Sequence, residues 1–237
     1  MKKIISLIAI LLIMIIGIHA KDNKISYVSL GDGLSLGINE NNYVSKGYSD
    51  YIKEYLELNK KLKFYTKEFS KQDARIIDII NDINDNVTKN INNKEITIQN
   101  VLKKANIITI SLGFNELLYK YSNDNMSYTY NYIDSYINDM EKLINLIKEY
   151  NNKTIFILGY YNPTDNKELD KYVIYANDKL INLCDKEKVN YMDLYSIFDN
   201  NKKMINYVNN LYPNSEGYKL ISNKIIKKIS NIVNKSW

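Results

Sequence analysis

Apolar runs of strand length alternate along this chain with longer segments whose apolar residues return at helical spacing. The run ISYVSLG, Ile25 to Gly31, predicts a first strand, and GYSDYIKEYLELNKK predicts a helix with Tyr48, Ile52, Tyr55 and Leu56 on one face. LKFYTKEF predicts a second, weaker strand, and DARIIDIINDI a helix for which Asp73 is the expected cap. ANIITISLG, Ala105 to Gly113, is a continuous apolar strand of the kind found in parallel sheets covered on both faces. A long helical stretch from Tyr128 to Tyr150 follows, then the strand KTIFILGYY, a helix from about Leu169 to Lys186, the strand VNYMDLY, and a last helix from about Ser215 to Val233. Strand and helix alternate five times. That order predicts a doubly wound α/β fold, a three-layer α/β/α sandwich with right-handed crossovers and its ligand crevice at the C-terminal ends of the strands.

The punctuation agrees. The chain has eight glycines and two prolines, and Gly31, Gly33, Gly37, Gly113, Gly159, Pro163, Pro213 and Gly217 all fall at or just beyond predicted strand ends or in the final loop, where a crevice would be shaped. No repeat and no Pro/Ser linker divides the chain, so residues 21–237 are expected to form one domain.

Composition narrows the function classes. With 45% hydrophobic and 25% charged residues, the 237-residue chain has the balance of a globular domain. Its 32 basic and 27 acidic side chains are mixed along the length, giving +5 without the dense basic block of a nucleic-acid footprint. One cysteine, Cys184, allows no internal disulfide, and no Cys/His cluster suggests a metal; no cofactor is expected. The first twenty residues stand apart: Lys2-Lys3, an uncharged apolar run over residues 4–18, and His19-Ala20 before the polar KDNK. This is the layout of a secretory signal or, if uncleaved, an N-terminal membrane tether, and it predicts an exported, extracellular or cell-surface protein. His19 is the sole histidine of the sequence.

Four segments, in order, carry a family resemblance: SLGDGLSLG after the first strand, ITISLGFNEL after the third, IFILGYYNP, and LYPNSEGYKLIS near the end. The chain resembles the SGNH or GDSL hydrolases, lipases and esterases of a flavodoxin-like fold, and among them the bacterial lysophospholipase-like branch. The resemblance implies a catalytic serine in the first block and an Asp and a His in the last. Here those positions hold Gly33, Asn209 and Tyr212. It further implies an oxyanion site made by a second-block glycine, where EFSKQDAR places Lys71, and by an asparagine after Gly113, retained as Asn115.

These departures act together. A serine hydroxyl attacks a carbonyl only when a base of suitable pKa takes its proton, which imidazole does and phenol does not. The chemistry implied by the family is therefore expected to be absent, leaving a binding module for an acylated, glycan or other small envelope ligand, with Asp32, Lys71, Asn115 and Tyr212 around the old site. Two other readings stand beside it. One is an active esterase or deacetylase with Ser35 as nucleophile, its proton taken by a desolvated Lys71. The other is a purely structural protein whose crevice is filled by Lys71 and Tyr212. Ser35 has the plainer role of bonding backbone groups in the turn, and Asn115 that of capping the helix NELLYKY. A metal at Asp32 would need further carboxylates, of which Glu116 is the one neighbour. The tyrosine-rich YKYSNDNMSYTYNYIDSYI suggests either a ligand-binding surface or a helix covering the crevice. The final NKIIKKISNIVNKSW suggests either a membrane-surface helix or, through Ile225, Ile226, Ile229, Ile232 and Val233, the closing helix of the sheet.

Overall fold

Alternate residues of the strands face opposite sides of one sheet, and helices cover each side. The computed structural model describes residues 24–122, 128–205 and 211–234. Five parallel strands lie in the order β2-β1-β5-β6-β7: β1 Ile25–Gly31, β2 Leu62–Thr66, β5 Ile107–Ser111, β6 Thr154–Leu158 and β7 Asn190–Met192. Val28, Leu30, Ile108, Ile110, Ile155 and Ile157 point to one core, and Tyr27, Ile107, Phe156 and Leu158 to the other. The first core is closed by α3 Ile76–Asn84, α4 Ile98–Lys104, α6 Thr129–Tyr150 and α7 Lys167–Glu187. The second is closed by α2 Tyr48–Leu58, α8 Tyr195–Asp199 and α9 Ser215–Asn234. This is the three-layer sandwich that the alternation of periods predicts. Of the final helix, Ile225 and Ile229 are buried in the second core, so its described apolar face closes the sheet.

The predicted elements need three corrections. Asp73 does not cap α3. The extended residue before the helix is Arg75, and its N–H donates to Asp78 Oδ2 at 2.9 Å, so the first-turn carboxylate performs the capping. The segment between α3 and β5 is not a plain connection but a hairpin, β3 Thr88–Ile91 and β4 Lys94–Thr97, followed by α4. Asn92 and Asn93 turn it with φ of 52° and 61°, a left-handed pair that asparagine tolerates. The last strand stops at Met192 because Asp193 accepts from the Ser196 N–H at 3.0 Å and turns the chain into α8.

Buried amides fix the connections. Asn177, on α7, accepts from the Tyr160 N–H at 2.8 Å and donates to the Tyr160 carbonyl at 2.9 Å, holding the chain where it leaves β6. Asn177→Ala strands both backbone groups in a buried setting. It should cost about 2 kcal/mol or more, read as a lower urea midpoint with an unchanged m-value.

Candidate functional site

At the C-terminal rim of the sheet, the loops that follow β1, β2 and β5 are laced together. The Asp32 N–H donates to the Ser111 carbonyl at 3.0 Å, the Gly33 N–H to the Gln72 carbonyl at 3.0 Å, and the Lys71 N–H to the Gly31 carbonyl at 3.0 Å. Asp32 caps the short helix α1, Gly33–Leu36: its Oδ1 accepts from the Leu34 N–H at 3.0 Å and from Ser111 Oγ at 2.9 Å. Another helix, α5 Phe114–Ser122, starts where Gly113 takes a φ of +100°. A side chain at Gly113 would meet the Tyr160 ring, with Cζ at 3.0 Å.

Gly33 is covered by Tyr212. A β-carbon built on Gly33 would lie 2.5 Å from Tyr212 Cζ and 2.7 Å from Cε1, and would overlap the phenol oxygen as well. The tyrosine is delivered there by its neighbours: Tyr161 Oη donates to the Leu211 carbonyl at 2.6 Å, and Pro213 is bridged to Ile205. Burial, and then the carboxylate of Asp32, hold the Tyr212 phenol well above its ordinary range, so it keeps its proton. What remains between Asp32, Leu34, Phe114, Asn115, Tyr161 and Tyr212 is a cavity of about 20 Å³, room for little more than one water.

The N–H groups that could hold an oxyanion here are turned inward. Those of Gly33 and Lys71 bond carbonyls as given above, and Asn115 Nδ2 donates to the Ala74 carbonyl at 3.0 Å. Lys71 does not line the cavity. Its ammonium sits 2.8 Å from Asp82 Oδ2. Ser35 does not line it either. It is fully buried, its Oγ donates to the Leu30 carbonyl at 2.8 Å, and it lies 3.0 to 3.1 Å from the hydroxyls of Ser29, Tyr48 and Ser111. This knot of buried hydroxyls, continued by Thr109 and Tyr27, is not foreseen from the sequence, because its members lie far apart in the chain. Ser29 and Thr109 do sit as polar residues inside strands that are otherwise apolar, and that is the signal that could have found them.

Glu116 accepts from the Ile76 N–H at 2.7 Å and so fastens α3 to α5; burial raises its pKa. Among the described residues no group of three or more His, Cys, Asp or Glu could hold a metal ion. Asn209 and the N-terminal leader lie outside the described residues. No described helix is long and apolar enough to cross a membrane. Asn115 and Glu116 also line a second, open cleft of about 480 Å³ with Asp73, Arg75, Tyr119 and Tyr132. Tyr119 there is 68% exposed. The tyrosine-rich segment thus contributes to a surface cleft and, through Tyr136, to the core.

Similarity to known proteins covers most of the chain. The profile of the GDSL-like Lipase/Acylhydrolase family matches residues 27–225. The spore germination lipase LipC of Bacillus licheniformis is 25% identical over 213 residues, which span 85% of this chain and 94% of that protein. Among solved structures, the lipase Lip_vut3 from a goat rumen metagenome superposes with a TM-score of 0.71 at 21% identity, covering 86% of this chain and 97% of that one. The acetylxylan esterase Axe2 of Geobacillus stearothermophilus gives 0.63 at 14% identity, covering 86% and 94%. At these identities the two solved structures speak for the fold.

The Asp32 carboxyl is pushed up to about 7 by burial, which outweighs the hydrogen bonds from Ser111 and Leu34. The native state keeps this proton to about pH 7, whereas the unfolded chain releases it near ~4. The stabilisation is therefore complete below about pH 4 and is lost as pH rises towards 7. Both hydrogen bonds fall on Oδ1, which asparagine retains. Asp32→Asn should accordingly flatten the dependence of stability on pH between about 5 and 7, removing a slope of up to ~1.4 kcal/mol per pH unit and leaving the variant the more stable of the two at the alkaline end. Thermal melts across that range check it.

Proposed function

Since the chain belongs to the GDSL-like lipase/acylhydrolase family, we propose that it is a member that has kept the fold and given up serine ester hydrolysis, and that it holds a saccharide or acylated ligand of the cell envelope in the cleft beside Asn115. The observation that carries this reading is the Tyr212 ring packed on Gly33. The nucleophile and the base of such a site act as a unit, and loss of either costs about 10⁶ in kcat. Here the nucleophile's position has no side chain, the base's position has a protonated phenol, and the two leave no room for a substrate carbonyl. The inward-turned oxyanion donors support the same conclusion.

Binding is supported by the open cleft, where Tyr119 and Tyr132 offer flat rings and Asp73, Arg75 and Asn115 offer polar edges, the mixture that sugar rings use. The uncharged run of residues 4–18 behind a lysine pair supports export or tethering at the cell surface. Because LipC bears the name of a lipase, hydrolysis through another nucleophile is the second reading. The burial of Ser35 and its bond to Leu30 weigh against that serine.

A fluorophosphonate probe and short-chain nitrophenyl esters decide between them. The protein should neither label nor turn over above buffer, whereas labelling that vanishes in Ser35→Ala would establish the second reading. Gly33→Ser alone should cost about 1–3 kcal/mol through overlap with Tyr212. Joined with Tyr212→His and Asn209→Asp, it should regain stability and show measurable ester turnover.

The ligand is sought by thermal shift against xylo-oligosaccharides, chito-oligosaccharides and short acyl chains, since a ligand that binds only the native state raises Tm. Tyr119→Ala, at a 68% exposed position, should abolish the shift while costing the free protein no more than about 1 kcal/mol of stability. A flat response across the panel would overturn the binding role.

A further inference from the structure

Along the last helix, Leu220, Lys224, Lys227 and Lys228 recur at the spacing of one helical face, next to the face on which Ile221, Ile225 and Ile229 enter the second core. Lys228 marks where that face points, since its Nζ donates to the Tyr191 carbonyl at 3.1 Å. Tyr191 belongs to β7, the strand at one edge of the sheet. A parallel ladder takes its bonds from alternate residues, and here the Gly159 N–H donates to the Met192 carbonyl at 2.9 Å, so the Tyr191 carbonyl is turned outward. Between this edge, α8 and α9 lies a groove of about 630 Å³. Tyr191, Ile197 and Leu220 give it apolar surface, and the three exposed lysines give it positive charge. None of its lining residues belongs to the cavity beside Tyr212 or to the cleft beside Asn115.

Three like charges on one helical face repel one another, here at the i, i+3 and i, i+4 spacings where an opposite charge would stabilise the helix. Helix polarity does not account for them. A cation gains from the carbonyl end within the last turn, and the last turn of α9 holds no basic residue. Among the described residues Asp193 is the one carboxylate lining the groove, and it accepts from the Ser196 N–H at 3.0 Å. On the same helix Lys219 is paired with Glu216 at 2.8 Å, whereas the three groove lysines have no carboxylate partner among the described residues. Concave apolar surface beside such cations is matched by a molecule with an apolar body and an anionic head. An added β-strand is poorly served, because β7 is three residues long and its outward carbonyl is already taken by Lys228.

We propose that the groove at the β7 edge binds a single-chain amphiphile with an anionic head, a carboxylate or a phosphate, with the head against Lys224 and Lys227 and the chain over Tyr191, Ile197 and Leu220. The head relieves the repulsion among the lysines, and the chain removes apolar surface from water. This is a second site, separate from the cleft beside Asn115, and either can fail without the other.

Titration calorimetry on the whole chain, with ligands kept below micelle-forming concentrations, tests this. Dodecanoate and dodecyl phosphate should bind, the tighter of the two identifying the head group, and uncharged dodecanol should bind more weakly than either. From octanoate to dodecanoate affinity should rise, by up to about fourfold for each methylene buried. Acetylation footprinting locates the site: bound dodecanoate should shield Lys224 and Lys227 and leave Lys142, exposed on α6, as reactive as before. Lys224→Gln with Lys227→Gln, both exposed positions, should weaken dodecanoate about twentyfold at an unchanged Tm, taking each charge close to the head as roughly fivefold. The same change at exposed Lys142 and Lys171 should leave the affinity as it is. The proposal is overturned by equal affinity for dodecanol, by affinity that does not rise with chain length, by shielding of other lysines in place of Lys224 and Lys227, or by an equal loss in the Lys142 and Lys171 control. It is overturned in favour of a protein partner if poly-glutamate binds the groove and dodecanoate does not.

Discussion

A parallel sheet has two unlike ends, and much else in this molecule follows from that constraint. Every strand leaves at one rim, where short loops must turn into helices and where glycine, asparagine and capping carboxylates gather. The helices that lead into the next strand of the sheet, α2, α4, α6 and α7, finish at the other rim, where carbonyl dipoles point outward and lysine is favoured, as at Lys103 and Lys104 of α4. The crevice is therefore a consequence of the arrangement of the backbone, divided from the opposite rim by the apolar interior of β1, β5 and β6.

At the crevice rim the decisive contact is steric. Gly33 and Tyr212 fit as a pair, because a β-carbon at position 33 would lie 2.5 Å from Tyr212 Cζ unless the phenol shifted. Neither residue is therefore changed alone without cost. A serine would be forced against the ring, and a smaller residue at 212 would open a cavity beside buried Asp32. The loops have closed on themselves in the same way, their N–H groups bonding neighbouring carbonyls at about 3.0 Å. Buried polar groups at such a rim must satisfy one another, since each one left buried and unbonded costs about 1–3 kcal/mol.

How much of this was legible beforehand depends on the range of each interaction. The five strands and the long helices were readable because periodicity is local: ANIITISLG is apolar at every position that two covering layers require. The meeting of Gly33 with Tyr212, and of Tyr212 with Asn115 around one cavity, was foreshadowed too, since these residues stand in ordered segments at the ends of predicted elements. The β3–β4 hairpin was not, because its strands are four residues each and its turn uses Asn92-Asn93 in a generally asparagine-rich chain. Lys71 shows a different limit. Its backbone does lie at the crevice, as its bond to the Gly31 carbonyl attests, but its side chain found Asp82 on α3, and no sequence pattern announces a pairing set by tertiary packing.

The residues at the crevice differ from a catalytic pair in what they hold. Asp32 accepts from a backbone N–H and from Ser111, Asn115 donates to the Ala74 carbonyl, and Glu116 accepts from the N–H that opens α3. Each of these joins one loop to another and would be missed by the fold whatever the chemistry. A nucleophilic hydroxyl and its imidazole partner face the substrate and hold no loop in place. A scaffold of this kind does not need the second set in order to fold, and the space beside Gly33 goes to whichever side chain packs it best. In this chain that side chain is the ring of Tyr212, delivered by Tyr161 through the Leu211 carbonyl. The buried carboxyl of Asp32 beneath it is tolerated because it can remain protonated to about pH 7, a state that a working site with a cationic imidazole nearby would have opposed.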